Sequence, residues 1–324
     1  MQYSGARVRR NAKIHFALPH ATFWRAPSLL AKTFRCMLGR SILFATLLGA
    51  AMPAQAQQLG GRVVAAASGH GVAFATVGVK GKAVGTTTDA AGHFALKTPA
   101  DIADADSVII SCIGYHSCRT TVQALRNRSQ AWELAPLTQP LPEVRVKHGR
   151  VRPATLGGKM ESGMAHWSTA TRDIGALADD ERGWEVATVL PVRRNSYIDG
   201  FHFYLEQNEF KLVRLRFMLY EVVGGKPTKP LLTQDVQFTV PSAQTGWASV
   251  DLRPYNVQLR KGQTVAAGIQ WLQGEKLTPA STKFGGPGAF PSALHRAVVR
   301  DKSEATWHSF PINASMYLAV QEYE

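Results

Sequence analysis

The sequence predicts an all-β chain, a small Greek-key β-sandwich followed by a larger antiparallel, jelly-roll-like β-sandwich. Three observations predict it. Between residues 58 and 137, short β-branched and apolar runs recur about every 8 to 12 residues, separated by Gly and Asp turns and with little helical periodicity. From 161 to 324, longer runs alternate apolar and polar residues, the period of a strand with one buried face. Between the two, 138–160 holds Pro140, Pro142 and Pro153 with Lys147-His148-Gly149-Arg150 and no apolar period, which reads as a linker. A chain of 324 residues is long enough for two such cores without a metal or a disulfide staple.

Residues 1–56 precede both domains. Ser41-Ile42-Leu43-Phe44-Ala45-Thr46-Leu47-Leu48-Gly49-Ala50-Ala51 is an apolar run after Arg40, and Ala54-x-Ala56 behind it is a small-residue cleavage signal. The run is too short to span a hydrocarbon core of about 30 Å, so it predicts a removed signal peptide rather than an anchor. Met37 offers a start with its own basic flank, and cleavage after Ala56 leaves a mature chain from Gln57. These features predict export to the periplasm, the outer membrane's surroundings or the medium, with no transmembrane span in the mature chain. Eight of the 37 basic residues and no acidic one precede Gln57, leaving 29 against 23 and an excess of only six. With no basic run interleaved with aromatics, nucleic-acid binding is not expected.

In the first domain the expected strands are 61–64, 75–79, 84–88, 93–96, 107–111 and 120–122, and Asp89-Ala90-Ala91-Gly92 is a turn closed by Gly. The order Gly61-x-Val63, Ala75-Thr76-Val77, Gly85-Thr86-Thr87-Thr88-Asp89-x-x-Gly92-x-Phe94-x-Leu96 and Ser111-x-Ile113-Gly114-Tyr115 resembles the carboxypeptidase-D regulatory-like domain. That resemblance implies a β-sandwich that accompanies another domain and is not itself an enzyme. The residues also have structural work: Phe94 and Leu96 share one strand face, and Tyr115 packs its ring at a hairpin. Cys112 and Cys118 flank the Gly114-Tyr115 turn, and both a bond and two free thiols are compatible with their spacing.

Strands of the second domain are expected at 183–190, 198–205, 211–220, 234–240, 246–252, 264–271 and 314–320. In the third, Val213, Leu215, Phe217 and Leu219 alternate with Arg214, Arg216 and Met218, predicting one core face and one wet face. The layout is similar to carbohydrate-binding-like jelly rolls.

No reaction is legible. His-x-x-x-His spacings, a Gly-x-Ser-x-Gly elbow, a phosphate loop and a dinucleotide fingerprint are all missing, so neither a metal nor a cofactor is expected. Asp101, Asp104 and Asp106 lack the Gly and Glu of a calcium loop and read as a solvated turn. Asp199 and His202, three apart in a strand, are expected on opposite faces. The hint of binding is aromatic: Trp184, Trp307, Tyr204, Phe284 and Phe290 are the candidate ligand residues, with Trp247 and Trp271 read as core. The Gly-rich run Lys283 to Pro291 is the expected lip of a site. The sequence thus predicts a non-catalytic binding or interaction protein of the cell envelope, its partner a polysaccharide or an envelope protein. The alternatives are a hydrolase with a carboxylate site in the second domain and a purely structural envelope protein.

Overall fold

The computed structural model describes residues 14–16, 57–127, 131–137 and 151–324. Met37, the apolar run and the cleavage signal lie outside them. Ile14–Phe16 runs antiparallel to Ala165–Ser168.

The chain is all-β, as the alternation requires. In the first domain Gln57–Ala65 pairs antiparallel with His93–Thr98 and parallel with Trp132–Leu134. Thr76–Val79 sits between Gly85–Thr87 and Ser107–Ser111, which in turn pairs with Cys118–Thr121. The two sheets close over Val63, Val77, Val79, Phe94, Leu96, Val108, Ile110 and Leu134, and a short helix, Val122–Asn127, adds Val122 and Leu125. The expected turn is present: Asp89 Oδ1 accepts from the amides of Ala91 and His93 at 2.9 and 2.8 Å, and Gly92 has φ +85°. A Cβ there would lie 2.4 Å from the Val63 carbonyl oxygen, so only Gly fits.

The second domain is a sandwich of two large sheets between which the chain crosses repeatedly, with a smaller four-stranded sheet beside them. The seven-stranded sheet contains Phe210–Val223, Thr264–Lys276, Glu185–Pro191 and Arg296–Arg300 in that order, and the five-stranded sheet Gly246–Asp251, Asn195–Leu205, Met316–Tyr323 and Arg152–Gly157. Their facing sides interdigitate Leu215, Phe217, Ile269 and Trp271 with Phe201, Phe203, Leu318 and Val320. Burying such large side chains, each contributing about 1.5–3 kcal/mol, is what makes the sandwich cohere.

The Pro-rich stretch is not linker throughout. Arg152–Gly157 is an edge strand on Met316–Tyr323, and Pro153 is compatible with that edge because one side of the strand makes no ladder there. The Gly-rich run expected to be a ligand lip is also a strand: Phe284–Gly288 pairs with Ala165–Ser168 and Gln207–Asn208. Its glycines answer to close packing, since a Cβ at Gly286 would lie 2.1 Å from the Tyr204 carbonyl oxygen and one at Gly285 2.2 Å from that of Trp167.

Candidate functional site: an aromatic face and a buried seam

The outer face of the five-stranded sheet carries an aromatic cluster. Strand alternation sends Phe201, Phe203 and Leu205 inward and His202 and Tyr204 outward; across the ladder, Tyr204 pairs with Trp247 and His202 with Tyr317. The rings meet directly. Trp247 stands edge-on to Tyr204 and Tyr317, with centroids 5.4 and 5.1 Å away, while His202 lies flat on Tyr317 at 4.5 Å. All four are half-buried, with one side toward solvent. Polar groups surround them: Trp247 Nε1 donates to Glu161 at 3.0 Å, Lys159 Nζ sits 4.6 Å from the Tyr317 ring centre, and His202 Nδ1 is 2.7 Å from Ser249 Oγ. Burial, then the Lys159 charge, lowers the His202 pKa, so the ring is a neutral stacking partner at neutral pH.

A β-bulge between Ile198 and Gly200 changes the parity of this strand. Asp199 therefore joins His202 on the outer face, contrary to simple alternation. Its Oδ2 accepts from Gln321 Nε2 at 2.6 Å, and Gln321 shares the outward face of its strand with Tyr317.

The corresponding face of the seven-stranded sheet meets the first domain instead. Arg214, Arg216 and Met218 were expected to point to water, yet Arg216 is only 2% exposed because the first domain covers it. Its Nε and Nη2 donate to both carboxylate oxygens of Asp235 at 2.5 and 2.8 Å, Nη1 donates to Gln270 Oε1 at 2.7 Å, and Nη2 also reaches the Phe74 carbonyl at 3.0 Å. Beside it, Arg300 Nη2 donates to Glu185 and to the Tyr220 hydroxyl, which itself donates to Glu185. Burial pushes the Tyr220 pKa well up, so the phenol stays neutral in this network. Gly81 N donates to the Glu304 carbonyl at 2.7 Å, and a Cβ at Gly78 would lie 2.5 Å from the Ser303 carbonyl oxygen.

A cleft of about 800 Å³ opens beside this seam, lined by Thr87, Asp89, Lys97, Asp173, Asp180 and Lys302 among others. Its carboxylates hold the local structure. Asp180 accepts from the Thr171 hydroxyl and the Arg172 amide, Asp173 from the Asp180 amide, and Asp179 from Arg182.

Comparison with known proteins agrees with the geometry of the first domain. The family profile of the CarboxypepD_reg-like domain matches residues 59–146. Residues 59–146 are a CarboxypepD_reg-like domain. No curated protein matches the chain. Among solved structures, the "Structure of infectious bursal disease virus Gx strain" aligns at 9% identity with a TM-score of 0.20, over 82% of this chain and 64% of that one. The chain thus spans less than two thirds of that viral chain, and so low a score carries no argument.

Of the five aromatic residues singled out by the sequence, only Tyr204 lies in the exposed cluster. Trp184 is fully buried and stacks on Trp167 at 6.3 Å inside the sandwich, where its indole N–H has no hydrogen-bond partner among the described residues. Phe284 is likewise core, between Trp167 and Trp271. Trp307 belongs to the seam with the CarboxypepD_reg-like domain: Arg300 lies 4.4 Å from its ring centre and Tyr220 meets it edge-on. Phe290 is 37% exposed, at the end of the Gly-rich strand. Trp271 is core as expected, whereas Trp247, read as core, is half-exposed. Tyr317 and His202 were missed, though Tyr317 alternates with Met316, Leu318 and Val320 in sequence. Within the CarboxypepD_reg-like domain Cys112 and Cys118 are unbonded, and burial pushes the Cys112 thiol up to about 11. Asp104 and Asp106 pair with Arg126 and Lys82. No group of side chains suited to a metal ion occurs among the described residues, nor a helix long and apolar enough to cross a membrane.

Proposed function

We propose that this is an exported, non-catalytic binding protein of the cell envelope that holds glycan on the outer face of its five-stranded sheet. The observation that carries this reading is that Trp247, Tyr204, Tyr317 and His202 gather, half-exposed, on one face. Aromatic rings with one open side offer apolar area at little entropic cost, and the C–H faces of pyranose rings match them. Glu161, Lys159 and Ser249 supply hydrogen bonds at the rim for sugar hydroxyls. Export rests on the apolar run and Ala54-x-Ala56. The hydrolase alternative draws no support from the cleft, where Asp173, Asp179 and Asp180 are each engaged with neighbouring amides or Arg182.

Affinity electrophoresis through gels containing hydroxyethylcellulose, xylan or mannan, with peptidoglycan pull-down in parallel, tests the reading. The wild type should be retarded by at least one of these, and Trp247→Ala should weaken that retention by about tenfold, the equivalent of one lost stacking contact. Retention by none, or retention that Trp247→Ala leaves unchanged, removes the glycan reading.

A further inference from the structure

The same sheet face carries a second aromatic station. Tyr197 and Tyr323 lie against each other with centroids 4.8 Å apart, both half-buried and both outward on the strands that bear His202 and Tyr317. From Tyr317 to Tyr323 is six steps along one strand, a span of about 20 Å at the usual rise. That is several sugar rings, far more than one ring can cover.

The surface between the stations is low and polar. Gly200 and Ala319 face each other in the register; Gly200 is buried close to the His202 ring, where a Cβ would stand 3.2 Å from Nε2, and the small side chain of Ala319 keeps the neighbouring strand low. Thr155 flanks Ala319 on one side, and Asp251, paired with Arg253 through two hydrogen bonds, flanks Gly200 on the other. Further along, Asp199 and Gln321 present an acceptor and a donor already joined to each other. Formal charges on this face balance: Lys159, Arg253 and, near Tyr323, Arg260 stand against Glu161, Asp199 and Asp251. Such a face has nothing to gain from a polyanion.

We infer that the ligand is an extended, uncharged polysaccharide chain lying along Met316–Tyr323, with one sugar stacked in the Trp247–Tyr317 cluster and another, several units away, at Tyr197–Tyr323. This inference rests on the glycan reading above and adds to it the length and charge class of the ligand. Three variants separate the two. Trp247→Ala tests the first station, Tyr323→Ala the second, and Ala319→Arg puts bulk on the path between them while leaving every aromatic residue in place.

On whichever neutral polysaccharide retains the wild type, Tyr323→Ala should weaken retention by about threefold to tenfold and Ala319→Arg by about tenfold, with thermal midpoints near wild type to show that folding is intact. Cellobiose to cellohexaose, added as competitors to a hydroxyethylcellulose gel, or the matching xylo- or manno-oligosaccharides for the other matrices, should compete increasingly well with length. If Trp247→Ala weakens retention while Tyr323→Ala and Ala319→Arg do not, or if the disaccharide competes as well as the hexasaccharide, the extended-chain inference fails and the glycan reading stands. Retention by an anionic polymer such as alginate alone also overturns it. No retention of the wild type by any polymer removes both.

Discussion

The two sheets of the second domain each turn one side to a shared core, and their other sides have opposite fates. Behind the seven-stranded sheet, Arg216, Gln270, Glu185, Arg300 and Tyr220 form a water-poor hydrogen-bonded layer beneath the CarboxypepD_reg-like domain. Behind the five-stranded sheet, Trp247, Tyr317, Tyr204 and His202 keep one side toward solvent. The chemistry is the reverse of what exposure alone would select, since the charges are covered and the aromatics are not. Covered charge is tolerated where it is paired and hydrogen-bonded, as Arg216 is by Asp235, Gln270 and the Phe74 carbonyl; Arg300 is paired with Glu185 although its buried Nε has no partner among the described residues. Uncovered aromatic area with no such demand is the usual mark of a surface kept for binding.

Breaking the covered face should cost most. Arg216→Ala removes the ion-pair partner of Asp235, which keeps its hydrogen bond from Gln237, and leaves Gln270 Oε1 and the Phe74 carbonyl without their donor; with the buried side chain lost as well, stability should fall by about 3 kcal/mol. Urea unfolding followed by tryptophan fluorescence measures this. A loss under about 1 kcal/mol would mean that water reaches the seam and that the two faces are less different than they look. Next comes the junction itself. Gly78→Ala places a methyl against the Ser303 carbonyl oxygen, a backbone atom that cannot swing aside, and should cost about 1–3 kcal/mol. Two separate unfolding transitions in place of one would show the domains coming apart at that point.

The same comparison explains what the sequence could tell. Strand positions were legible because period-two alternation is a local property: 198–205, 211–220, 246–252 and 264–271 all fall on observed strands. Alternation marks which side of a strand faces away from the core and is silent on what covers that side. Arg214 and Arg216 therefore read as wet. Trp247 read as core because its size outweighed its parity, although Ala248 and Val250 point inward and Ser249 outward in the same strand. Trp184 failed the other way: it reads as available, but Trp167 from a strand not anticipated in sequence lies on it. The bulge at Asp199 has no signature beyond Gly200. Phe284–Gly288 reads as a loop because its glycines serve close packing against Trp167 and Tyr204, a tertiary constraint that mimics loop composition.

On the open face, stability and binding should separate. Trp247→Ala removes two edge-on ring contacts and the hydrogen bond to Glu161, all at a half-exposed site, and should lower stability by only about 1 kcal/mol while removing most of the retention on polysaccharide. Urea unfolding and affinity electrophoresis on one preparation check both halves. A loss as large as that from Arg216→Ala would make Trp247 a packing residue and the contrast between the faces would collapse.

The smallest effect expected is on pH dependence, and its sign follows from His202. Burial first, and Lys159 second, lower the pKa of its imidazole below the ordinary 6.5. The groups facing it are Tyr317, Ser249 and Lys159, and none of them offers a negative charge to stabilise imidazolium. Below about pH 6.5 the unfolded chain therefore binds a proton that the folded chain refuses, so His202 contributes a loss of stability as pH falls through that value toward the folded pKa. Above 6.5 the ring is neutral in both states and the contribution is flat. His202→Gln keeps a planar polar group beside Ser249 but does not titrate, and its stability measured from pH 7 down to about pH 5 should decline less than that of the wild type. Lys159→Gln should recover part of that difference by removing the second cause. Superimposable wild-type and His202→Gln curves would mean that the imidazole is as wet folded as unfolded, and that its stacking on Tyr317 does not bury it enough to matter.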